Sequence, residues 1–240
     1  MRSIRVSPTD RTSGGYRSKT GLAAHCGSGP ARPQATIAAG LHGGRDLGAV
    51  IEAEGAQVIT VDEAAAADES WPTLVIGPTA AIPARPPASA PVLRALWTGW
   101  TASVAPARPP TPPNAARDNC VLAAIAAAAM GISETFNVLR GRPGNDAGYR
   151  PVSLNLWNPG QSDGDGPVLR YAPVQWWLVG LGHLGQAYSW GLSWLDYAEP
   201  SLVQVVLQET DRTTPANRST GILTPAGSTD VPKTRLSQLP

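Results

Sequence analysis

A run of apolar residues, Trp176-Trp177-Leu178-Val179, leads without a break into Gly180-Leu181-Gly182-His183-Leu184-Gly185. The apolar run reads as a buried strand, and a helix is expected to follow to about Leu195. Three glycines spaced G-x-G-x-x-G between a strand and a helix have separate tasks. Gly180 permits the tight turn, Gly182 lets the backbone approach a phosphate, and Gly185 lets the helix lie close against the strand. The start of the helix presents free N–H groups and the positive end of its dipole to an anion. Residues 202–207 (LVQVVL) then read as a second buried parallel strand, ending at Glu209 and Asp211. An acid at that place can accept hydrogen bonds from ribose hydroxyls. Glu209 lies 24 residues after Gly185, compatible with the usual spacing of roughly 20. The pattern points to a nucleotide site, but the glycines alone do not separate NAD, FAD and ATP.

The fold class expected is therefore α/β, with an incomplete Rossmann-like nucleotide-binding unit over 169–240 and a smaller α/β region over 45–168. In the latter, Leu47, Val50, Ile51 and Ala53 sit at helical spacing, and Gly55 ends that helix. Residues 56–61 and 73–77 read as strands and 64–67 as a short helix. Residues 104–113 hold five prolines and read as an extended linker. Asp118 and Asn119 can cap a helix over 120–139 that ends at Gly141. Its first half is apolar on every face, the mark of a helix fully buried in a core or interface. Residues 152–157 alternate as a strand does, and 158–166 form a loop.

Residues 1–45 carry seven basic residues against one acid, Asp10, and no sustained period. Disorder over 1–44 is the plain reading; a mis-assigned start and a transit peptide are the alternatives.

Composition excludes several classes. Lys+Arg 19 against Asp+Glu 18 gives a net charge of +1, which excludes a nucleic-acid binder working through bulk basicity. Cys26 and Cys120 stand alone, arguing against a disulfide framework and a zinc site; Cys120 opens an apolar run and reads as buried. The longest apolar stretch, 120–132, has 13 residues, short of the roughly 20 that a membrane span needs. No membrane association, no resident metal and a cytoplasmic location are the expectations. The 36 Ala and the dominance of Arg (17 of 19 basic residues) reflect background bias. One of only two lysines, Lys233, therefore draws notice.

His183, inside the glycine turn, reads as a neutral imidazole packing or capping the helix rather than as a base. Trp176, Trp177, Trp190 and Trp194 read as core or subunit-interface residues, the last two sharing a helix face.

The stretch after the second strand favours ATP. It runs Glu209-Thr210-Asp211-Arg212-Thr213-Thr214-Pro215-Ala216-Asn217-Arg218-Ser219-Thr220, then Asp230-Val231-Pro232-Lys233. With the glycine turn, this resembles the bacterial ThiF-type, ubiquitin-activating-enzyme-like adenylyltransferases. In that family the turn is followed by D-x-D at a strand end, S-N-L-N-R, and a stretch ending in G-x-x-K. The resemblance is specific over 174–235 and extends more softly back to residue 45. It implies that Gly180, Gly182 and Gly185 line the nucleotide phosphates and that Glu209 holds ribose, with Asp211 as the second acid. It further implies that Asn217 and Lys233 contact the triphosphate. Its implied substrate is ATP with Mg2+, the metal ligand falling downstream of this chain. Its implied activity is adenylation of the C-terminal carboxylate of a ubiquitin-like or sulfur-carrier protein, by a homodimer or a pair with a relative. Thr220 stands where the family has Arg, with Arg218 nearby but out of register. The chain is expected to be a truncated or degenerate member. An NAD-binding Rossmann oxidoreductase and a non-catalytic nucleotide-binding scaffold are the competing functions.

Overall fold

The computed structural model describes residues 2–6, 22–26, 44–53, 56–59, 71–77, 90–107, 120–161, 166–169, 172–225 and 227–236. The chain divides into two compact units. One holds Arg45–Val168 with the two N-terminal strands, and the other holds Leu169–Pro240. Helices and strands occur together and the strands form two sheets.

The first unit is built on a seven-stranded mixed sheet. Its strands are β1 (Arg2–Val6), β2 (Leu22–Cys26), β3 (Gln57–Ile59), β4 (Thr73–Ile76), β5 (Val92–Thr98), β6 (Thr101–Pro106) and β7 (Val152–Asn155), in the order β3-β2-β1-β4-β5-β6-β7. β2 runs parallel to β3 and β4 parallel to β5, while the other pairs are antiparallel. The disorder expected over 1–44 does not hold at β1 and β2, whose backbones pair into this sheet. Helix α1 (Leu47–Ala53) buries Val50. The short helix expected over 64–67 lies outside the described residues.

β5 and β6 form a hairpin that sequence patterning missed. Gly99, at φ +52, opens its two-residue turn, where a positive φ suits glycine. Inward positions alternate along both strands, so Leu93, Ala95, Ala102 and Val104 are buried on one face. The linker expected from residue 104 therefore starts too early. Residues 104–106 complete β6 between β5 and β7, with Pro106 at the strand end opposite Leu93. The next residue, Ala107, still donates its N–H to Val92 O at 2.7 Å.

Helix α2 (Val121–Arg140) lies over β4, β5 and β6. It ends where Gly141 takes a left-handed conformation. Its N-cap is Cys120, buried and with no side-chain cap, and Asp118 and Asn119 lie outside the described residues. The expectation of full burial fails. Only the stripe Ala123, Ala127, Gly131 and Glu134 is buried, whereas Ile132 and Phe136 are exposed. Small residues define the stripe because the helix sits close on the sheet: a Cβ at Gly131 would lie 2.8 Å from Leu74 Cδ2. By length and composition alone α2 is apolar enough to cross a membrane.

The second unit contains β8 (Gln175–Val179), α3 (His183–Leu192) and β9 (Gln204–Gln208). β8 and β9 pair in parallel, Trp176 opposite Val205 and Leu178 opposite Leu207. A parallel pair needs a crossover between its strands, and α3 provides it. α3 stops at Leu192, before the expected Leu195, and a short 3-10 turn (Pro200–Leu202) precedes β9. Trp190 and Trp194 pack edge to face with ring centres 5.7 Å apart. Trp177, by contrast, is 68% exposed, so it is not a core residue of this unit.

Candidate nucleotide site at the β8–α3 turn

The C-terminal end of β8 turns into α3 through Gly180, Leu181 and Gly182. Gly180 sits at φ +86 and donates its N–H to Gln208 O (2.9 Å), which carries the parallel ladder one step past the strands. Gly185 has no room for a side chain, because a Cβ there would lie 1.8 Å from Gly180 O. Gly182 is the N-cap of α3 and has no side-chain cap. A Cβ on Gly180 or Gly182 would meet no heavy atom within 4 Å. The helix start thus presents uncapped N–H groups beside open space. His183 is the first residue of α3 and is exposed.

Glu209, just past β9, grips this turn. Its Oε2 accepts the Leu181 N–H at 2.8 Å, and its Oε1 accepts the N–H groups of Thr210 (2.8 Å) and Asp211 (3.1 Å). These bonds favour the charged form. The Asp211 N–H, then those of Leu181 and Thr210, and finally the charge on Lys233 hold the Glu209 carboxyl below the usual range.

Asp211 leads on to Lys233. The Lys233 ammonium donates to Asp211 Oδ2 at 3.1 Å, and the Lys233 N–H donates to Asp211 O. Lys233 is only 8% exposed, an uncommon state for a lysine, while the Asp211 side chain is 70% exposed. The strand-like crossing of 211–213 with 230–232 fixes this contact. Thr213 exchanges N–H···O bonds with Val231 and Asp230, and Arg212 pairs with Asp230 at 2.6 Å.

Asn217 stands in the 3-10 turn Pro215–Ser219. Its Oδ1 accepts the Thr214 N–H at 2.8 Å and the Thr214 hydroxyl at 3.2 Å, closing a capping box. Arg218 is exposed. Hydrogen bonds link Leu181, Glu209, Asp211 and Lys233 in turn, and Gly185 lies against Gly180 O. The capping box gives the Asn217 Oδ1 a structural partner of its own.

Sequence reading missed Gln186, which is 1% exposed beneath the turn. Its Nε2 donates to Leu181 O (3.3 Å), and its Oε1 accepts from Leu223 N–H and the Thr224 hydroxyl, each at 3.1 Å. A polar residue directly after the third glycine, on the inner side of an otherwise apolar helix start, was the available signal. Among the described residues no group of three or more His, Cys, Asp or Glu could hold a metal ion.

A glycine turn between parallel strands, with an acid clasping it and a buried lysine beyond, defines an α/β protein with a β–α–β unit. The comparisons with known proteins name the family. Residues 28–156 match the model of the BilD N-terminal domain and residues 172–239 that of the BilD C-terminal domain. The chain belongs to the BilD family. It is 36% identical over 177 residues to the Bacterial E1-like protein BilD of Collimonas sp. (strain OK412). The match covers 72% of this chain and 37% of that protein, so the chain spans little more than a third of its curated relative. These matches correct the ThiF-type assignment: the glycine turn and the D-x-D-like end of β9 are shared too widely to choose a family, and both domains fit BilD models.

Proposed function

We propose that this chain carries the ATP-binding part of an E1-like activating protein, one that adenylates the C-terminal carboxylate of a ubiquitin-like protein. The name of the Collimonas relative supports the E1-like class. The observation that carries the nucleotide reading is the Glu209 clasp on Leu181, which holds the β8–α3 turn open at the end of β8 with Lys233 beside it. In this reading the β8–α3–β9 unit is half of a Rossmann-like fold.

In the reaction, a carboxylate oxygen of the ubiquitin-like protein attacks the α-phosphorus of ATP. The bond from that phosphorus to the oxygen bridging to the β-phosphate breaks, and pyrophosphate leaves with the bonding pair. The product is an acyl-adenylate. The chain's part is to bind and place. Gly180, Gly182 and the α3 N-terminus receive phosphate oxygens, Glu209 keeps one lone pair of Oε2 for a ribose hydroxyl, and Lys233 faces the charge growing on pyrophosphate. Lys233 must exchange Asp211 for phosphate, whose own charge then replaces the carboxylate beside the buried ammonium. Asn217 contributes its amide to the triphosphate while its Oδ1 stays in the capping box.

The test is exchange of labelled pyrophosphate into ATP in the presence of a ubiquitin-like protein with a free C-terminus. Exchange that needs both the ubiquitin-like protein and Lys233 is the expected result. Exchange indifferent to Lys233→Ala would remove the mechanism.

A further inference from the structure

We infer that Gln186 is a positioning residue: it sets the glycine turn and the Asn217-bearing segment at a fixed separation, so nucleotide affinity depends on a side chain that touches no nucleotide. The inference rests on the nucleotide reading of the turn.

Among the described residues, Gln186 is a buried side chain that bonds both parts. On one side its Nε2 donates to Leu181 O, the carbonyl of the residue whose N–H Glu209 clasps. On the other its Oε1 receives Leu223 N–H and Thr224 Oγ1. From there Thr224 N–H bonds Gly221 O at 3.1 Å, and Gly221 N–H bonds Asn217 O at 2.7 Å. An unbroken hydrogen-bond path therefore joins Glu209, Leu181, Gln186, Thr224, Gly221 and Asn217.

The neighbours leave the amide one orientation. A carbonyl acceptor waits at Leu181 and an N–H donor at Leu223, so a flipped amide would set oxygen against oxygen and N–H against N–H. Packing closes the site further. A Cβ on Gly221 would lie 2.6 Å from Gln186 Oε1 and 2.5 Å from Thr224 Oγ1. Glycine at 221 is what lets the segment come down onto the glutamine. Leu181, Leu223 and Thr224 are themselves buried, so water cannot replace a lost bond without opening the contact.

The chemistry suggests a conservative rescue. In Gln186→Glu the two acceptor bonds survive, but an ionised carboxylate cannot donate to Leu181 O. Protonated, the same carboxyl donates through its O–H and reproduces the amide. Burial raises the pKa of the introduced carboxyl, so the exchange falls in an accessible range.

The experiment measures MgATP affinity of the full 240-residue chain by calorimetry at pH 5.5 and pH 8.0, for the unaltered protein, Gln186→Met and Gln186→Glu. Each variant is compared with the unaltered protein at the same pH, so that protonation of ATP and of the exposed His183 cancels. Gln186→Met is expected to bind at least about tenfold more weakly at both, since it removes all three buried hydrogen bonds of the amide. Gln186→Glu is expected to be weakened at pH 8.0 and to recover at pH 5.5. Gln186→Met binding as well as the unaltered chain, or Gln186→Glu showing no recovery, overturns the inference. If Gln186→Met fails to fold, the two pH values compare one folded state of Gln186→Glu with itself. No ATP binding by the unaltered protein would instead remove the nucleotide reading. Amide exchange at Leu181 then decides the inference: exchange faster than in the unaltered chain in Gln186→Glu at pH 8.0 but not at pH 5.5 supports the tie, and exchange equal to that of the unaltered chain at both pH values refutes it.

Discussion

Glu209 Oε2 accepts the backbone N–H of Leu181 at 2.8 Å, across 28 residues of chain. This bond joins the end of β9 to the turn that ends β8. It means the acid proposed to meet ribose also holds the turn proposed to meet phosphate. Glu209→Ala is expected to weaken nucleotide binding by about tenfold or more, since a charge-assisted hydrogen bond contributes on the order of 1.5–3 kcal/mol. Calorimetric titration with ATP reads this.

The same carboxylate gives a pH dependence with a definite sign. Its pKa is lowered in the folded chain. Its contribution to stability is therefore complete above the unfolded-chain value of about 4.3 and is lost as pH falls through the lower folded value. Thermal melts of the unaltered chain and Glu209→Gln are expected to stay fully separate above about pH 4.3 and to converge as pH falls through the lower folded value.

The three turn glycines are expected to differ. Gly185→Ala drives a Cβ against Gly180 O, a backbone atom that cannot swing aside, so loss of roughly 3 kcal/mol or more, or failure to fold, is expected. Gly182→Ala meets open space at an ordinary φ of −65. It is expected to melt normally yet lose ATP affinity, because its methyl stands where phosphate would sit. Paired melting and binding curves separate the two effects.

In the first unit Glu134 is the buried acid of α2. Its Oε2 accepts the Gly148 N–H at 3.1 Å and its Oε1 lies 3.6 Å from Arg150. Glu134→Ala is expected to cost about 1–3 kcal/mol by leaving the buried Gly148 N–H unpaired. It is not expected to change nucleotide affinity. Chemical denaturation with ATP titration checks both.

How much of this was legible follows from locality. The β8 strand, the Gly180–Gly185 turn and the start of α3 were readable because apolar runs and glycine spacing are local signals. Gly141 ended α2 for the same reason. The β5–β6 hairpin is local, Thr98 pairing with Thr101, but it was not read because β6 is Ala-rich, ends in Pro106 and runs into a proline-rich stretch that masks its alternation. The burial of α2 was misjudged because an Ala-rich helix looks apolar on every side, and only its closeness to Leu74 reveals the inner stripe. Glu209 and Lys233 were picked out for chemistry, but their bonds to Leu181 and Asp211 depend on a crossing at 211–232 that no spacing rule encodes. The family itself was misassigned, because a glycine turn with a strand-end acid serves many folds alike.

The central claim is that the β8–α3 turn binds ATP. Backbone amide shifts of the isotopically labelled chain, followed while MgATP or NADH is added, test it most directly. The expected result is saturable shifts at Gly180, Gly182, His183 and Lys233 with ATP and weaker ones with NADH. Shifts absent from the turn at millimolar ATP, or stronger with NADH, would contradict it.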